Sequence, residues 1–311
     1  MTVATENFAT RADSVGCESK LTAFNVAAVA EAMDTVQSLK GTSAGLKTIQ
    51  TREGDWKSWD PDVFGVDEAT EGGYLQRAKE LGKPIVMLSE ETDRVEINLD
   101  AGGDPMYCVS DPFDGSWLFK HQLPIWWYSS LAFFNKDFSP ICAATGDVNQ
   151  KLIAFADDNG AYLVSVEDDK ITNKHRLNEQ FRQQIAGDAP RDLADICIES
   201  YGLKPKKFLK PLLEKYGELL YSVKMYYPNG GPYAFVDVAT GQVDAYFAVS
   251  QPFVDVFSGI EIARQAGAVI SDFEGNPFHL QTDNPRTTYD VLASRNQNLH
   301  DQILAKLAQC K

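Results

Sequence analysis

The sequence predicts a mixed α/β (α+β) fold whose two halves are built differently, and three observations carry this. Between Leu21 and Leu81, two segments open in helical style, the first with apolar residues at helical spacing. From Pro84 to Val164, short apolar segments follow one another across turn residues, as in an antiparallel meander. From Asp195 to Leu307, strands alternate with helices, which requires a mixed or partly parallel sheet. With 311 residues, 44% of them hydrophobic and 23% charged, the chain can build a large core. It divides into a loose N-terminal arm over 1–18, an N-terminal α+β part over 19–150 and a C-terminal α/β part over 151–311.

Residues 1–18 are polar and irregular. Leu21, Phe24, Val26, Val29, Ala30, Met33, Val36 and Leu39 recur at three- and four-residue spacing, which makes one buried helical face. Gly41 is placed to end that helix. Leu46 to Asp55 reads as a short strand reaching a loop, and Trp56 to Phe64 as a turn-rich loop with exposed acids. A second helix opens at Val66 and ends near Leu81. Asp67 lies in its first turn, where the helix dipole favours negative charge. Pro84 to Leu88 is an apolar strand that delivers Glu90. After an acidic hairpin, Tyr107 to Ser110 is the strand that delivers Asp111. Ile125 to Asn135 reads as a buried strand, Pro140 to Gly146 pairs onto it, and Leu152 to Ala156 with Gly160 to Val164 makes a hairpin.

In the second half, Asp195 to Glu199 is a strand, Lys204 to Tyr216 a basic amphipathic helix and Leu219 to Met225 a strand. Tyr227 to Pro232 is a tight loop and Tyr233 to Ala239 a helix. Asp244 to Val249 is a strand, Asp255 to Gly267 a helix, Ala268 to Ser271 and Asp290 to Ala293 strands, and Leu299 to Leu307 the closing helix.

The formal charge of −15 argues against binding a phosphate backbone by bulk charge, so no nucleic-acid partner is expected. The five cysteines are odd in number and widely spaced, which points to a reducing compartment. No apolar run is long enough to span a bilayer, and Met1 to Ala9 lacks the pattern of a secretory signal. The expected location is therefore the cytoplasm, away from membranes.

The chemistry concentrates at residues 109–121. Pro112 fixes its own φ and pushes Asp111 towards extended backbone, so Asp111 should end a strand. Gly115 permits a sharp turn and Ser116 suits the N-cap of a helix starting near Trp117. Such a turn offers carboxylates to a hard cation and backbone N–H groups to an anion. An Asx-type turn with solvated acids has the same sequence, and this stretch leaves both open. Asp67, Glu90, Asp111, Asp114 and Asp255 all fall at element ends. Five converging carboxylates would repel one another unless cations neutralised them, and oxygen-only donors favour Mg²⁺, Mn²⁺ or Ca²⁺ over zinc.

Asp111-Pro112-Phe113-Asp114-Gly115-Ser116, preceded by Glu90-Glu91, resembles the signature of the inositol monophosphatase and fructose bisphosphatase superfamily. Gln242 to Phe247 and Gln265 to Ile270 resemble its archaeal-type bifunctional branch. The likeness spans about residues 60 to 300. Where the family usually has Trp-Asp-x-Ala-x-Gly, this chain has Val254-Asp255-Val256-Phe257-Ser258-Gly259; the aspartate and glycine remain, the tryptophan and alanine do not.

The resemblance implies a layered α/β/α/β/α sandwich of the sugar phosphatase type, with an antiparallel sheet in the first half and a mixed sheet in the second. It implies a Mg²⁺-dependent phosphomonoesterase that hydrolyses a small sugar or inositol phosphate, inositol monophosphate or fructose 1,6-bisphosphate, by metal-activated water. Two or three Mg²⁺ ions are implied, with Mn²⁺ as substitute, together with lithium sensitivity and a homodimer. Glu90, Asp111 and the Phe113 carbonyl would hold one ion, and Asp111, Asp114 and Asp255 a second. Glu90 and Asp67, partly through water, would assist a third. Gly115 and Ser116 would bind phosphate through backbone N–H groups. Asp67 and the Ser116 hydroxyl would orient the attacking water, making Asp67, Glu90 and Ser116 the catalytic set.

The leaving group is expected against Tyr201, Lys204, Asn229, Gly230 and Gly231. Tyr201, Lys204, Lys206 and Lys207 meet a second phosphate, or the lysines form a solvated helix face. Ala248 stands where the family often carries an acid that contacts a substrate hydroxyl. Tyr233 and Phe235 read as core, and His121 as structural. Two further readings stay open. One is a nucleotide bisphosphate (adenosine 3′,5′-bisphosphate) phosphatase with the base near Tyr201 or Tyr227. The other is a non-catalytic relative that binds metal or a phosphosugar.

Overall fold

The structure, a computed structural model, describes residues 3–54, 57–190 and 192–310. Where a loose arm was expected, Val3–Ser14 is a helix, α1. Its anchoring is polar and aromatic, which is why apolar spacing does not reveal it. The buried Arg11 guanidinium bonds to the Asp34 carboxylate and donates to the Asp168 carbonyl at 3.0 Å. Phe8 packs edge-on to Phe24. The apolar stripe expected from Leu21 to Leu39 forms α2, Lys20–Leu39, capped by the Ser19 hydroxyl, which accepts from the Thr22 N–H. A short α3, Ser43–Leu46, leads to the antiparallel pair β1, Thr48–Thr51, and β2, Asp62–Phe64. Asp55 and Trp56, where the two expected loop segments join, lie outside the described residues. Helix α4 is Gly65–Glu80.

The large sheet contains β3 (Ile85–Ser89), β4 (Asp93–Ile97), β5 (Met106–Asp114), β6 (Tyr128–Phe134), β7 (Pro140–Asp147), β8 (Leu152–Asp157), β9 (Gly160–Glu167) and β10 (Lys170–Leu177). Its order is β10-β9-β8-β7-β6-β5-β3-β4. The expected all-antiparallel sheet needs one correction, because β3 and β5 pair in parallel. β4 folds back on one side of β3, and the chain then crosses to lay β5 on the other. The expected division after residue 150 also moves. Tight turns carry the ladder on through β9 and β10, so the sheet ends at Leu177.

The second half contains α6 (Glu179–Ala186), β11 (Cys197–Glu199), α7 (Lys210–Tyr221), β12 (Met225–Tyr227), α8 (Ala234–Thr240), β13 (Ala245–Pro252), α9 (Phe253–Phe257), α10 (Ile260–Gln265), β14 (Val269–Ser271), β15 (Thr288–Ser294) and α11 (Gln297–Gln309). Its sheet, ordered β12-β11-β13-β15-β14, is mixed as expected, with β11 parallel to both neighbours. The strand expected over Leu219 to Met225 is instead helix as far as Tyr221, because Leu212, Tyr216, Leu219 and Leu220 complete one buried stripe. The helix expected from Asp255 to Gly267 breaks into α9 and α10. The break admits the Pro232 carbonyl, which a Cβ on Gly259 would meet at 2.3 Å.

Three core clusters fill the spaces between five layers, the middle one lying on both sides of the central helices. Val26, Val29 and Met33 of α2 pack with Met87, Phe133 and Phe155 on one face of the large sheet. Val109 and Ala132 on the other face pack with Phe235, Ile262 and Tyr246. Ile198 and Phe247 of the small sheet pack with Leu212, Leu299 and Ile303. This is the α/β/α/β/α sandwich. Sheets covered on both faces need strands buried on both sides, and β6 is buried at every position. Among the described residues no helix is long and apolar enough to cross a membrane, and the five cysteines are free.

Candidate active site

Pro112 has no N–H to donate, and the β5–β6 ladder, regular as far as Asp111 opposite Ser130, shifts register between Asp111 and Asp114. The strand therefore runs on to Asp114 rather than ending at Asp111. Asp111 is buried and Asp114 is half-buried. The next residue must be glycine for two reasons. Gly115 has φ +110°, and a Cβ there would meet the Trp126 carbonyl oxygen at 2.3 Å. Gly115 also takes the N-cap position expected for Ser116, so Ser116 is the first residue of α5, Ser116–Lys120. Its hydroxyl, released from capping, donates to Asp67 Oδ1 at 2.6 Å and lies 3.2 Å from the Phe113 carbonyl.

Asp67 sits in the first turn of α4, where its Oδ2 accepts the Phe64 N–H at 2.7 Å. Burial pushes its pKa up to about 7, against the two hydrogen bonds that favour the anion. Glu90 follows β3. Burial opposes its ionisation, yet Lys57 Nζ at 2.5 Å and Arg52 at 4.0 Å hold its pKa below the usual range. Arg52 also pairs with Glu91, whose pKa burial, and then Glu90 and Asp67, raise to about 8.

One carboxylate oxygen from each of Glu90, Asp111 and Asp255 lies within 4.8 Å of the others. Both oxygens of Asp111 are buried without a hydrogen-bond partner. Burial, and then Glu90, Asp114 and Asp255, push the Asp111 pKa well up. Asp255 is raised to about 7 by burial, against the pull of Lys57. Asp114 is outside this trio but close enough to Asp255 for repulsion to raise its own pKa, after burial. The nearby Lys57 ammonium cannot alone balance these acids. An all-oxygen set with unpartnered atoms fits a hard divalent cation.

Glu90, Phe113, Asp114, Gly115, Ser116 and Asp255 line a cleft of about 390 Å³. Tyr201, Lys204, Asn229, Gly230 and Gly231, expected at the leaving group, line it too. Asp67 and Asp111 stand behind its wall. Lys204 pairs with Asp60 at 2.9 Å, and the buried Asn229 amide donates to the Tyr128 hydroxyl at 3.2 Å. Gly231 abuts Asp114, whose Oδ2 an added Cβ would meet at 2.1 Å. Lys206 is exposed, and Lys207 stands 4.3 Å over the Trp59 ring, so both follow the solvated-face reading. His121 packs on Trp117 at the rim. Tyr233 and Phe235 are core.

Sequence reasoning missed Arg52 and Lys57, which lay in segments read as strand and turn. It also missed the aromatic wall of Trp59, Trp117, Trp126 and Phe208. Trp126 falls in the segment expected as a buried strand, but of the two adjacent tryptophans Trp127 is buried and Trp126 is half-buried. A buried acid pair went unseen as well. Asp237 of α8 lies against Glu199 at the end of β11, and burial followed by this contact pushes Glu199 well up.

The model of the inositol monophosphatase family matches residues 18–311. Nus factor SuhB of Escherichia coli (strain K12) is 25% identical over 267 residues, 83% of this chain and 91% of that protein. A Pyrococcus horikoshii protein described as similar to inositol-1 monophosphatase shares the fold with a TM-score of 0.65 at 22% identity, over 90% of this chain and 96% of that one. An inositol monophosphatase-fructose 1,6 bisphosphatase does so with a TM-score of 0.64 at 21% identity, over 89% and 98%.

Proposed function

The chain belongs to the inositol monophosphatase family, and from that premise we propose that it is a Mg²⁺-dependent phosphomonoesterase acting on a small sugar or inositol phosphate. The observation that carries this is Asp111, with two buried unpartnered oxygens beside Glu90 and Asp255. In this reading Glu90, Asp111 and the Phe113 carbonyl hold one cation, and Asp111, Asp114 and Asp255 a second. Asp67 with Glu90 assists a third. Mn²⁺ would substitute for Mg²⁺. Bound divalent cations would supply positive charge against the phosphate oxygens and make water more acidic.

The chain's own groups do the rest. The N–H groups of Gly115 and Ser116, at the start of α5, take phosphate oxygens. The Ser116 hydroxyl is committed as a donor to Asp67, so its oxygen is left to accept a hydrogen bond from the attacking water and to aim it, while its own proton passes to Asp67 as the water's proton comes to it. Asp67, with a pKa of about 7, can take up that proton at neutral pH. The Tyr227 to Pro232 loop, seated on Asp114 through Gly231, meets the leaving group. Inositol monophosphate and fructose 1,6-bisphosphate are the first substrates to try, with adenosine 3′,5′-bisphosphate as the alternative. Lithium inhibition, a homodimer and a cytoplasmic setting belong to the same proposal.

The test is phosphate release from these three compounds with Mg²⁺, with and without chelator. Chelator-sensitive release that is lost in Asp111→Asn and Asp255→Asn is expected. Full activity in both variants would end this reading. One observation favours a second reading: the curated relatives carry the name Nus factor, and the chain departs from the family pattern around Asp255. Calorimetric metal binding without turnover of any of the three would select a non-catalytic relative.

A further inference from the structure

We propose that helix α4 is the template that spaces Asp67, Glu90, Asp111 and Asp114, with Glu71 and Tyr74 as its positioning residues. The proposal rests on the cation site of the phosphomonoesterase reading and on no particular substrate.

These four acids come from α4, from the residue after β3 and from the irregular end of β5. Crowded carboxylates repel one another, so the segments that carry them must be held against that repulsion. Asp111 cannot be held through its own side chain, because neither of its oxygens has a hydrogen-bond partner. The backbone that carries it has to be fixed instead.

Asp67, Glu71 and Tyr74 are four and three residues apart, which puts them on one face of α4. All three are buried, and each reaches a different part of the site. Asp67 accepts the Ser116 hydroxyl at the phosphate turn. One turn on, Glu71 accepts the Ser89 hydroxyl at 2.5 Å through one oxygen and the Thr92 hydroxyl at 2.6 Å through the other. Ser89 and Thr92 flank Glu90 and Glu91. A single carboxylate thus clips both ends of the turn that presents Glu90, and ties it to the helix that presents Asp67.

Tyr74 reaches the third segment. Its hydroxyl lies 2.6 Å from Ser129 Oγ, and Ser129 donates to the Pro112 carbonyl at 2.7 Å. The one hydroxyl hydrogen of Ser129 is committed to Pro112, so Tyr74 is the donor to Ser129. This relay falls where the β5–β6 ladder shifts register between Asp111 and Asp114. Side chains there replace the support that the ladder has lost, under the backbone that carries Asp111, the Phe113 carbonyl and Asp114. Neither Glu71 nor Tyr74 lines the cleft, so each acts through the segment it holds.

The experiment measures Mg²⁺ binding by calorimetry, with kcat and KM in parallel, in wild type, Glu71→Ala, Glu71→Gln, Tyr74→Phe and Ala78→Gly, each shown to be folded by circular dichroism. Ala78 is a buried apolar residue of the same helix, so its variant controls for lost helix stability. Glu71→Ala and Tyr74→Phe should each raise the Mg²⁺ dissociation constant about 10- to 100-fold. A glutamine can accept from one hydroxyl and donate to the other, so Glu71→Gln should recover most of that loss. Ala78→Gly should leave the constant in place. Tyr74→Phe removes one oxygen and carries the test if Glu71→Ala does not fold. An unchanged constant in either variant, an equal rise in Ala78→Gly, or a glutamine variant no better than alanine overturns the proposal. The expected pattern of binding with no turnover of any phosphate ester would remove the phosphatase reading and leave the template standing. A wild type that binds neither Mg²⁺ nor Mn²⁺ would remove both.

Discussion

Replacing Asp111 by asparagine should stabilise the metal-free protein and remove most of its response to magnesium. The oxygens of Glu90, Asp111 and Asp255 approach within 4.8 Å. At that separation two unit charges repel by about 3.5 kcal/mol in an effective dielectric near 20. A charged Asp111 would meet two such repulsions, partly offset by Lys57. Burial and these acidic neighbours push its pKa well up, so folding favours its proton. Holding that proton at pH 7, against an unfolded value near 3.9, costs at most about 4 kcal/mol at 1.4 kcal/mol per unit. Asparagine carries no such cost, and its amide can donate to the remaining carboxylates.

The expected gain is about 2–4 kcal/mol, or roughly 4–8 °C at about 2 °C per kcal/mol for a chain of this size. The pH dependence follows from the raised pKa. The wild type has no handicap below the unfolded carboxyl value and loses stability as pH rises towards the folded value. The advantage of the variant should therefore be absent near pH 4 and grow towards pH 7. The assay is thermal unfolding by circular dichroism, in chelator and then in a magnesium series. Wild type should gain about 2.7 kcal/mol at a hundredfold excess over its dissociation constant, and the variant little. A variant less stable than wild type in chelator, with an unchanged response to magnesium, would refute the reasoning.

Two further outcomes are expected. Ser116→Ala removes the 2.6 Å bond to Asp67 and should lower kcat about 100-fold with little change in KM. Because that bond lowers the Asp67 pKa, the acidic limb of the kcat profile should move to higher pH. A profile that stays in place would deny Asp67 the role of proton acceptor. Asp237, buried against Glu199, has its pKa raised to about 8, so its stability contribution is present at low pH and is lost as pH rises through 8. Asp237→Asn should narrow the melting-temperature difference between pH 5 and pH 8.5 by at least about 2 °C. An unchanged difference would mean that this carboxyl does not titrate there.

Much of the acidic site was legible because its determinants are local. Pro112 denies the ladder a donor, and Gly115 alone fits a backbone turn at φ +110° under a carbonyl. Asp67 belongs to the first turn of a helix whose opening is visible in the sequence. These constraints act over a few residues, so they survive without knowledge of the fold. The apolar spacing of α2 is legible for the same reason. The apolar strands are too, because sheets covered on both faces bury them throughout.

Local chemistry along the chain is thus enough to say which acids stand at element ends and that the second half alternates strand with helix. Tertiary structure decided what meets them. Lys57 neutralises Glu90 only because residues 57–60 fold across the cleft, and nothing in a turn-rich stretch says where a turn will lie. Trp126 lines the cleft while Trp127 is core, a choice made by one left-handed residue and the carbonyl it turns towards Gly115. Glu199 and Asp237 become a buried acid pair because a strand of the small sheet and a helix beneath it pack together. Backbone propensity and spacing are short-range quantities. The pairing of distant side chains is set by how layers stack, and that is chosen by the whole core at once.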